Sequence, residues 1–143
     1  MGASDFSSLP YIGESVLRKE DVRFLTGAGQ YTDDVILQDI SYTVFVRSPH
    51  AHAVIKKINK AAALAAPGVL AVFDGQDVAA DKVGGLPCGW LITSTNGEPM
   101  KEPPHPILAQ GKARYVGDGV AMVIATSYEA AKNAAELVEV DYE

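Results

Sequence analysis

Alternation of apolar and polar side chains predicts β-strands in the first half of the chain. The segments with this pattern are residues 40–47, 53–58 and 69–73. In the first of them Tyr42, Val44 and Val46 fall on one face of an extended chain. After the second, Asn59 is placed to cap a short helix that Pro67-Gly68 ends. The first half is therefore expected to consist mainly of short strands.

The second half predicts a buried strand, a helix and a last strand. Residues 120–125 are apolar on both faces, which is typical of a central strand in a sheet. The turn Gly117-Asp118-Gly119 separates this strand from an extended segment before it. Thr126 and Glu129 have the spacing of a capping box at the start of a helix, and residues 138–142 read as a final strand. This order predicts a crossover unit packed on one sheet.

The segment from Asp81 to Pro106 interrupts the pattern with four glycines and five prolines. A stretch this long with little regular structure is uncommon in a compact domain, and such loops are usually functional or ordered by a partner. It contains the only tryptophan, Trp90, and tryptophan is enriched in the hot spots of protein interfaces. The predicted contact surface for a partner consists of Trp90, Cys88, Leu91 and Ile92.

Composition and charge exclude several classes of protein. The 143 residues suit one domain, and 48% hydrophobic residues are enough to form its core. No apolar run approaches the length of a membrane span. The net charge of −6 arises in residues 72–143, which hold five basic and eleven acidic residues, against seven of each in residues 1–71. Because there is no basic stripe, nucleic acid is not expected as a partner.

The first twenty residues are polar and without a hydrophobic period. They are interpreted as an N-terminal arm, followed by one domain over residues 21–143. The apolar residues that could dock this arm on a neighbouring surface are Leu9, Tyr11, Ile12, Val16 and Leu17. The chain ends in a strand-like run without assembling a catalytic centre, so it is expected to be one module of a larger protein.

Cysteine and histidine usage gives little support for catalysis or metal binding. Cys88 is the only cysteine, which excludes an internal disulfide and a cysteine-based zinc or iron–sulfur site within the chain. It is a candidate nucleophile, but no histidine lies near it in the sequence. His50, His52 and His105 have no spacing that points to a further ligand, so local hydrogen bonding is the preferred interpretation. A lone cysteine suits a reducing compartment.

Three further motifs each have a structural alternative. Gly27-Ala28-Gly29 begins like a dinucleotide fingerprint, but Thr32 stands in place of the third glycine and no helix is predicted to follow, so a glycine turn is preferred. Arg47 is interpreted as an ion-pair partner or backbone clamp rather than a group presented to a carboxylate. Asp33-Asp34 is interpreted as solvated, with bonds to the local backbone, rather than as a cation site.

Several motifs in order resemble the molybdenum-carrying large subunit of the molybdenum hydroxylases, the xanthine dehydrogenase/aldehyde oxidase family that includes aerobic carbon monoxide dehydrogenases. The resemblance covers roughly residues 11–143. Its motifs are Arg23-Phe24-Leu-Thr-Gly27-Ala-Gly29-Gln-Tyr31-Thr-Asp33-Asp34, Arg47-Ser-Pro-His50-Ala-His52-Ala, Pro67-Gly68-Val-Leu-Ala-Val-Phe, Pro106-Ile-Leu-Ala-Gln-Gly111-Lys-Ala-Arg-Tyr115-Val-Gly117-Asp118-Gly-Val-Ala121, and the closing Glu129-Ala-Ala and Val140-Asp-Tyr142-Glu143. One such motif would be weak, but several in sequence are specific.

This resemblance implies an α/β-hammerhead domain, an α+β fold in which a few short helices pack on a mixed sheet. Two departures from the family pattern stand out. Gly119 occupies a place where proline is expected in many relatives, which is predicted to loosen the turn after Asp118, and residues 81–106 form a variable region that is not assigned to a family segment.

The resemblance also implies a function. The whole enzyme would hydroxylate an aldehyde, an N-heterocycle or carbon monoxide with oxygen from water, and electrons would pass from molybdopterin-bound molybdenum to iron–sulfur clusters and then to FAD. The pterin, the catalytic glutamate, the clusters and the flavin belong to other domains or subunits of such enzymes. No catalytic, cofactor-binding or metal-binding residue is therefore assigned to this chain, which is expected to be cytoplasmic and to pack against those domains or subunits.

Two alternatives remain open at this point. The first is a free-standing protein-binding module of the same fold without molybdenum chemistry. The second is a small autonomous enzyme that uses Cys88 or the histidines. The substrate, the oligomeric state and the final electron acceptor are set by residues outside this sequence.

Overall fold

The computed structural model describes residue 13 and residues 15–143, and the chain divides into two compact units, Met1–Gln38 and Asp39–Glu143. Of the apolar residues predicted to dock the N-terminal arm, Leu9, Tyr11 and Ile12 lie outside the described residues, whereas Val16 and Leu17 are exposed. The predicted boundary between residues 20 and 21 stays a prediction.

The described part of the first unit contains a short helix, α1 (Asp21–Leu25), and one turn of 3₁₀-helix (Thr32–Asp34). Gly27 follows α1 with a φ of +75°, and its N–H donates to the carbonyl of Phe24, so the glycine ends a helix rather than beginning one. This geometry confirms a glycine turn here.

In residues 39–143, all of which the structure describes, six strands and three further helices form the second unit. The strands are β1 (Tyr42–Arg47), β2 (Ala53–Asn59), β3 (Val69–Asp74), β4 (Lys112–Ala113), β5 (Gly119–Ala125) and β6 (Glu139–Tyr142). The helices are α2 (Ala61–Leu64), α3 (Gly75–Ala80) and α4 (Tyr128–Ala135). The α+β class is confirmed, and the predicted strands and the two predicted helices occur in the expected order, whereas α1 and α3 were not predicted.

The strands form two sheets rather than one mixed sheet. The first has the order β1-β5-β3 and the second the order β4-β2-β6, and every pair is antiparallel. The prediction of a terminal crossover unit is therefore wrong, because β5 and β6, which flank α4, belong to different sheets. Central placement of β5 is confirmed, since it pairs with β1 on one side and β3 on the other.

The core lies between the first sheet and the elements that cover one of its faces. Val72, Ala121 and Val123 supply the buried side chains of this face. They contact Ala63 of α2 and Ala134 of α4, both fully buried, and small side chains at these positions let the helices approach closely.

Capping residues place two helices differently from the sequence prediction. Ser127, not Thr126, caps α4, because its side chain accepts a hydrogen bond from the N–H of Ala130 at 3.1 Å. Asp74 begins α3, a helix that the hydrophobic pattern does not predict, by accepting hydrogen bonds from the N–H groups of Gln76 and Asp77. α3 was missed because turn and N-cap signals use the same residue types, and the cap of α4 was misplaced because Thr126 and Ser127 are adjacent residues of types that can both act as N-caps.

Candidate interaction surface

Residues 81–106, which we call the Trp90 loop, form an irregular arm with a few backbone hydrogen bonds. At its base the N–H of Leu86 donates to the carbonyl of His105 at 2.8 Å. Further out the N–H of Met100 donates to the carbonyl of Ile92 at 3.1 Å, and the loop turns at Gly97, which has a φ of +84°. The many glycines and prolines thus give a defined path without a continuous strand ladder.

Two adjacent glycines at the base of the loop have different surroundings. A Cβ atom at Gly85 would lie 2.6 Å from the carbonyl oxygen of His105, whereas none of the structure's atoms lies within 4 Å of a Cβ at Gly84. Only Gly85 is therefore required for the close approach of the two sides of the loop.

The predicted contact residues lie together near the middle of the loop and are exposed. Trp90 has 79% of its surface accessible, Leu91 65% and Ile92 56%, and Cys88 is also exposed. Three consecutive large apolar side chains without cover are unusual on a surface facing water. This arrangement suits the predicted partner contact, which stays a prediction.

Cys88 makes structural rather than catalytic contacts. Its Sγ donates to the carbonyl of Trp90 at 3.4 Å, and its N–H donates to a carboxylate oxygen of Glu102 at 3.5 Å. His105 lines the same depression of about 280 Å³, but no hydrogen bond between Cys88 and His105 occurs in the described structure. The pairing that would activate a thiol nucleophile is not formed.

The three histidines do not converge. The ring of His50 meets that of Tyr142 edge-on at 4.9 Å, and its backbone N–H donates to Ser48 Oγ at 3.1 Å. Across residue 13 and residues 15–143, no cluster of three or more His, Cys, Asp or Glu side chains is arranged to hold a metal ion. The local hydrogen bonds at His50 are made by its backbone, so the local role predicted for the imidazole stays a prediction.

A buried junction connects the end of β1 with the start of β5. Ser48 and Asp118 are almost fully buried, and the N–H of Ser48 donates to the carbonyl of Asp118 at 2.8 Å. Arg47 Nη1 donates to the carbonyl of Gly117 at 2.8 Å, which confirms the backbone clamp. The carboxylate of Asp118 accepts from the N–H of Arg114 at 2.9 Å, so the turn beside Gly119 is held by several hydrogen bonds.

The surroundings of Tyr142, which borders this junction, shift the pKa of its hydroxyl group. Burial raises the pKa of Tyr142 above its ordinary value, the charge of Asp118 acts in the same direction, and together they outweigh an opposing contribution from Ser48. Tyr142 is the partner of His50 described above, so the end of β6 is packed against the junction.

Sequence reasoning missed a second polar cluster, which holds α3 to the segment after β2. Lys60 Nζ forms ion pairs with the carboxylates of Asp74, at 3.0 Å, and Asp77. Burial lowers the pKa of Lys60, but hydrogen bonds and charges from Asp77 and Asp74 outweigh it and raise the value. The hydrogen bond from Lys60 is the main cause that lowers the pKa of Asp77. The signal in the sequence that could have indicated this cluster is the Asp74-x-x-Asp77 spacing, which is that of a capping box at the start of a helix.

The carboxylates of the first unit also act locally. Asp34 Oδ2 accepts a hydrogen bond from the N–H of Tyr31 at 2.8 Å, as the sequence predicted for this turn. The aromatic ring of Tyr31 stacks on that of Phe24 with 5.3 Å between centroids. These contacts order the turn and offer no third acidic ligand.

The order of motifs and the two-sheet architecture have a counterpart among known proteins. The family model for the a/b hammerhead domain of aldehyde oxidase and xanthine dehydrogenase matches residues 26–143. The chain belongs to the aldehyde oxidase and xanthine dehydrogenase family. The hammerhead assignment made from the motifs is thereby confirmed.

Relatives in this family are much longer than the chain. The nicotine 6-hydroxylase large subunit of Paenarthrobacter nicotinovorans is 37% identical over 92% of the chain, which covers 15% of that relative. The carbon monoxide dehydrogenase large chain of Afipia carboxidovorans is 39% identical over 88% of the chain, which covers 14% of it. The xanthine dehydrogenase molybdenum-binding subunit of Escherichia coli O157:H7 is 33% identical over 89% of the chain and is covered to 16%.

Solved structures agree with the same hammerhead fold. Quinoline 2-oxidoreductase from Pseudomonas putida 86 superimposes with a TM-score of 0.77 at 42% identity, over 92% of this chain and 16% of that one. The Cu,Mo-containing carbon monoxide dehydrogenase superimposes with a TM-score of 0.71 at 38% identity, over 90% and 15%. In each case the chain corresponds to one domain of a much larger oxidoreductase polypeptide.

Proposed function

We propose that this chain is the structural and assembly module of a molybdenum hydroxylase. The observation that carries the proposal is the match of residues 26–143 to the hammerhead domain, supported by relatives named as hydroxylase, dehydrogenase and molybdenum-binding subunits. The enzyme would oxidise an aldehyde, an N-heterocycle or carbon monoxide with oxygen from water. It would work in the cytoplasm and pass electrons to iron–sulfur clusters and FAD held elsewhere. In the described part of the chain, no helix has both the length and the apolar character to cross a membrane.

Molybdenum chemistry is assigned to the polypeptide that accompanies this domain. The described residues offer no convergent set of three or more potential ligands, and Cys88 and His105 are not joined to one another. We therefore propose no catalytic step for these residues. The module would contribute by holding the neighbouring domains in position, since in such an enzyme the cofactor carries out the chemistry and the protein orients the cofactor and the substrate.

The chromosomal copy provides the test. A tag placed at its N-terminus would purify the protein in the form in which the cell makes it, whether joined to further sequence or assembled with a partner. We expect stoichiometric molybdenum and a pterin-binding polypeptide, identified by mass spectrometry. Purification of the chain alone without molybdenum would contradict the proposal and favour the free-standing binding module.

The Trp90 loop is proposed to be part of the assembly contact. Trp90 is the largest exposed apolar side chain of the loop, and truncating a buried interface tryptophan typically weakens association by about tenfold or more. We expect Trp90→Ala to lower the molybdenum-to-protein ratio and to make the loop more sensitive to protease. Tyr128→Ala removes a comparably exposed aromatic from α4 and serves as the control.

The shape of the loop gives a second, independent test. Gly85→Ala would push the two sides of its base apart, whereas Gly84→Ala adds the same atom in open space. Reduced assembly in the first variant alone would support a contact that depends on loop geometry. Unchanged assembly in both Gly85→Ala and Trp90→Ala would contradict the proposed contact.

A further inference from the structure

One face of the first sheet is covered by the core described above, and the opposite face, which we call the outer face, is apolar but not buried. Its side chains form two rows across three adjacent strands. The rows are Phe45–Met122–Phe73 and Thr43–Ile124–Ala71, from the register of β1, β5 and β3. Side chains directly opposite one another on neighbouring strands contact across the sheet. Five of the six are apolar and none is itself charged. Phe45 is 44% exposed, and at this end of the row the guanidinium carbon of Arg47 lies 5.8 Å from the centroid of its ring.

This composition is unusual for a sheet face that water covers. An antiparallel sheet with one face in solvent alternates between apolar residues facing the core and polar residues facing outward. Here β5 is apolar at every position from Val120 to Ala125. The inner positions Ala121 and Val123 are fully buried, whereas the outer positions Met122 and Ile124 remain partly accessible. The sequence of β5 is therefore suited to cover on both faces.

The outer face continues onto the base of the Trp90 loop. Phe45, Leu86, Ile107 and Tyr115 line one depression of about 210 Å³ at this point, and Arg47 and His105 contribute polar groups to its wall. Leu86, Ile107 and Tyr115 are 57%, 42% and 50% exposed. The apolar surface thus extends from the centre of the sheet to the loop that carries Trp90.

We infer that the outer face docks an apolar surface of the molybdenum-binding polypeptide that makes up the rest of the large subunit. This inference rests on the proposed function. The chain corresponds to only 15% of the nicotine 6-hydroxylase large subunit and 14% of the carbon monoxide dehydrogenase large chain, so in those relatives most of the polypeptide is available to cover this domain. The side chains of these two rows carry no charge, so they favour an apolar partner surface. A charged group of the partner buried against them would lose its hydration without gaining a compensating interaction. The same occupant would reach the Trp90 loop through the continuous surface.

Thiol labelling of the native enzyme tests the location. In a Cys88→Ser background, Thr43→Cys places a thiol on the outer face, and Lys132→Cys places one on the exposed side of α4 as the matched control. Both replace exposed polar residues and preserve the core. Each maleimide labelling rate is divided by the rate of the same variant in denaturant. We expect at least about tenfold slower labelling at position 43 than at position 132, since burial at an interface removes access of the reagent.

The occupant is identified by photo-crosslinking in the same enzyme. With benzoylphenylalanine in place of Phe45, we expect a crosslinked peptide from the molybdenum-binding polypeptide outside this domain. A crosslink between two copies of this chain, with protection lost on dilution, would overturn the inference in favour of self-association.

The molybdenum content of each preparation distinguishes a failure of the docking inference from a failure of the proposed function. Free labelling at position 43 in an enzyme that retains molybdenum would overturn the docking inference and leave the proposed function standing. A protein that never carries or associates with molybdenum would overturn both.

Discussion

The Trp90 loop and the segment that joins β3 to α3 are neighbours in sequence but are stabilised by different means. Asp74 is buried, caps α3 with two backbone hydrogen bonds and pairs with Lys60. Trp90, only sixteen positions later, is 79% exposed. Contacts within the domain fix the conformation of the β3–α3 segment, whereas the Trp90 loop carries apolar surface that no other part of the domain covers. Changes in the two regions should therefore be detected by different measurements.

The largest loss of stability is expected from Gly75→Ala at the start of α3. A Cβ at this position would press on the carbonyl of Ala109, with its carbon only 2.9 Å away, so one of the two backbone segments would have to shift. Overpacking typically costs about 1–3 kcal/mol, and a clash with backbone rather than with a flexible side chain is expected to lie near the upper end of this range. Urea unfolding measures the effect, and Gly84→Ala in the Trp90 loop, where the added atom meets open space, is the matched control. Equal midpoints for the two variants would show that the α3 segment is no more constrained than the loop.

Removal of the cap should have the next largest effect. Asp74→Ala takes away two hydrogen bonds to the first turn of α3 and one carboxylate partner of Lys60, and a lost cap together with a partly buried ion pair costs about 2 kcal/mol. Asp81→Ala removes the same charge from the exposed C-terminal end of this helix and is expected to change the unfolding free energy by less than about 0.5 kcal/mol. Similar losses in both variants would mean that charge, rather than capping, stabilises the segment.

The Lys60 cluster should also make stability depend on pH at acid values. The pKa of Asp77 is lowered mainly by its hydrogen bond from Lys60. As the pH falls, the unfolded chain therefore binds a proton at this residue at a higher pH than the folded chain does. The stabilisation by the carboxylate is therefore complete above the ordinary value of 3.8 and is lost as pH falls through the lower folded value. We expect the difference in unfolding free energy between the native chain and Asp77→Asn to be present at neutral pH and to shrink below pH 3.8.

A constant difference across that range would show that the cluster acts through packing alone. Lys60→Met provides the complementary control, since it removes the cation that lowers the pKa of Asp77. In that background the acid-dependent part of the Asp77→Asn difference should be smaller.

Local patterns in the sequence predicted the strands because alternation is a property of consecutive residues. β2, predicted over residues 53–58, spans Ala53–Asn59, and β1 begins two residues later than predicted. The division into two sheets was not predictable in this way, because β4 and β6 both pair with β2 through contacts distant in the sequence. The hammerhead arrangement came from the order of motifs rather than from periodicity.

The candidate site shows the same limit. The Trp90 loop could be recognised because glycine and proline exclude regular structure and leave a tryptophan in an irregular segment. The Lys60 cluster could not, since Lys60 and Asp77 are seventeen residues apart and meet only when α3 folds back. The outer face was predictable only in part. The apolar residues on both sides of β5 predicted that this strand is buried, but they did not predict which of its two faces lacks cover within the domain.

The smallest change in the unfolding free energy is expected from Trp90→Ala, the substitution that is expected to weaken assembly. Trp90→Ala removes a side chain that is 79% exposed, so little apolar area is returned to water and the unfolding free energy of the domain should change by less than about 0.5 kcal/mol. Val123→Ala removes only two methyl groups, but from a fully buried position, and should cost about 2 kcal/mol through lost burial and a cavity. Urea unfolding should therefore rank the smaller substitution as the more damaging one. If Trp90→Ala destabilised the isolated domain as much as Val123→Ala, the indole would be part of the domain's own core, and its proposed role in contacting a partner would lose its physical basis.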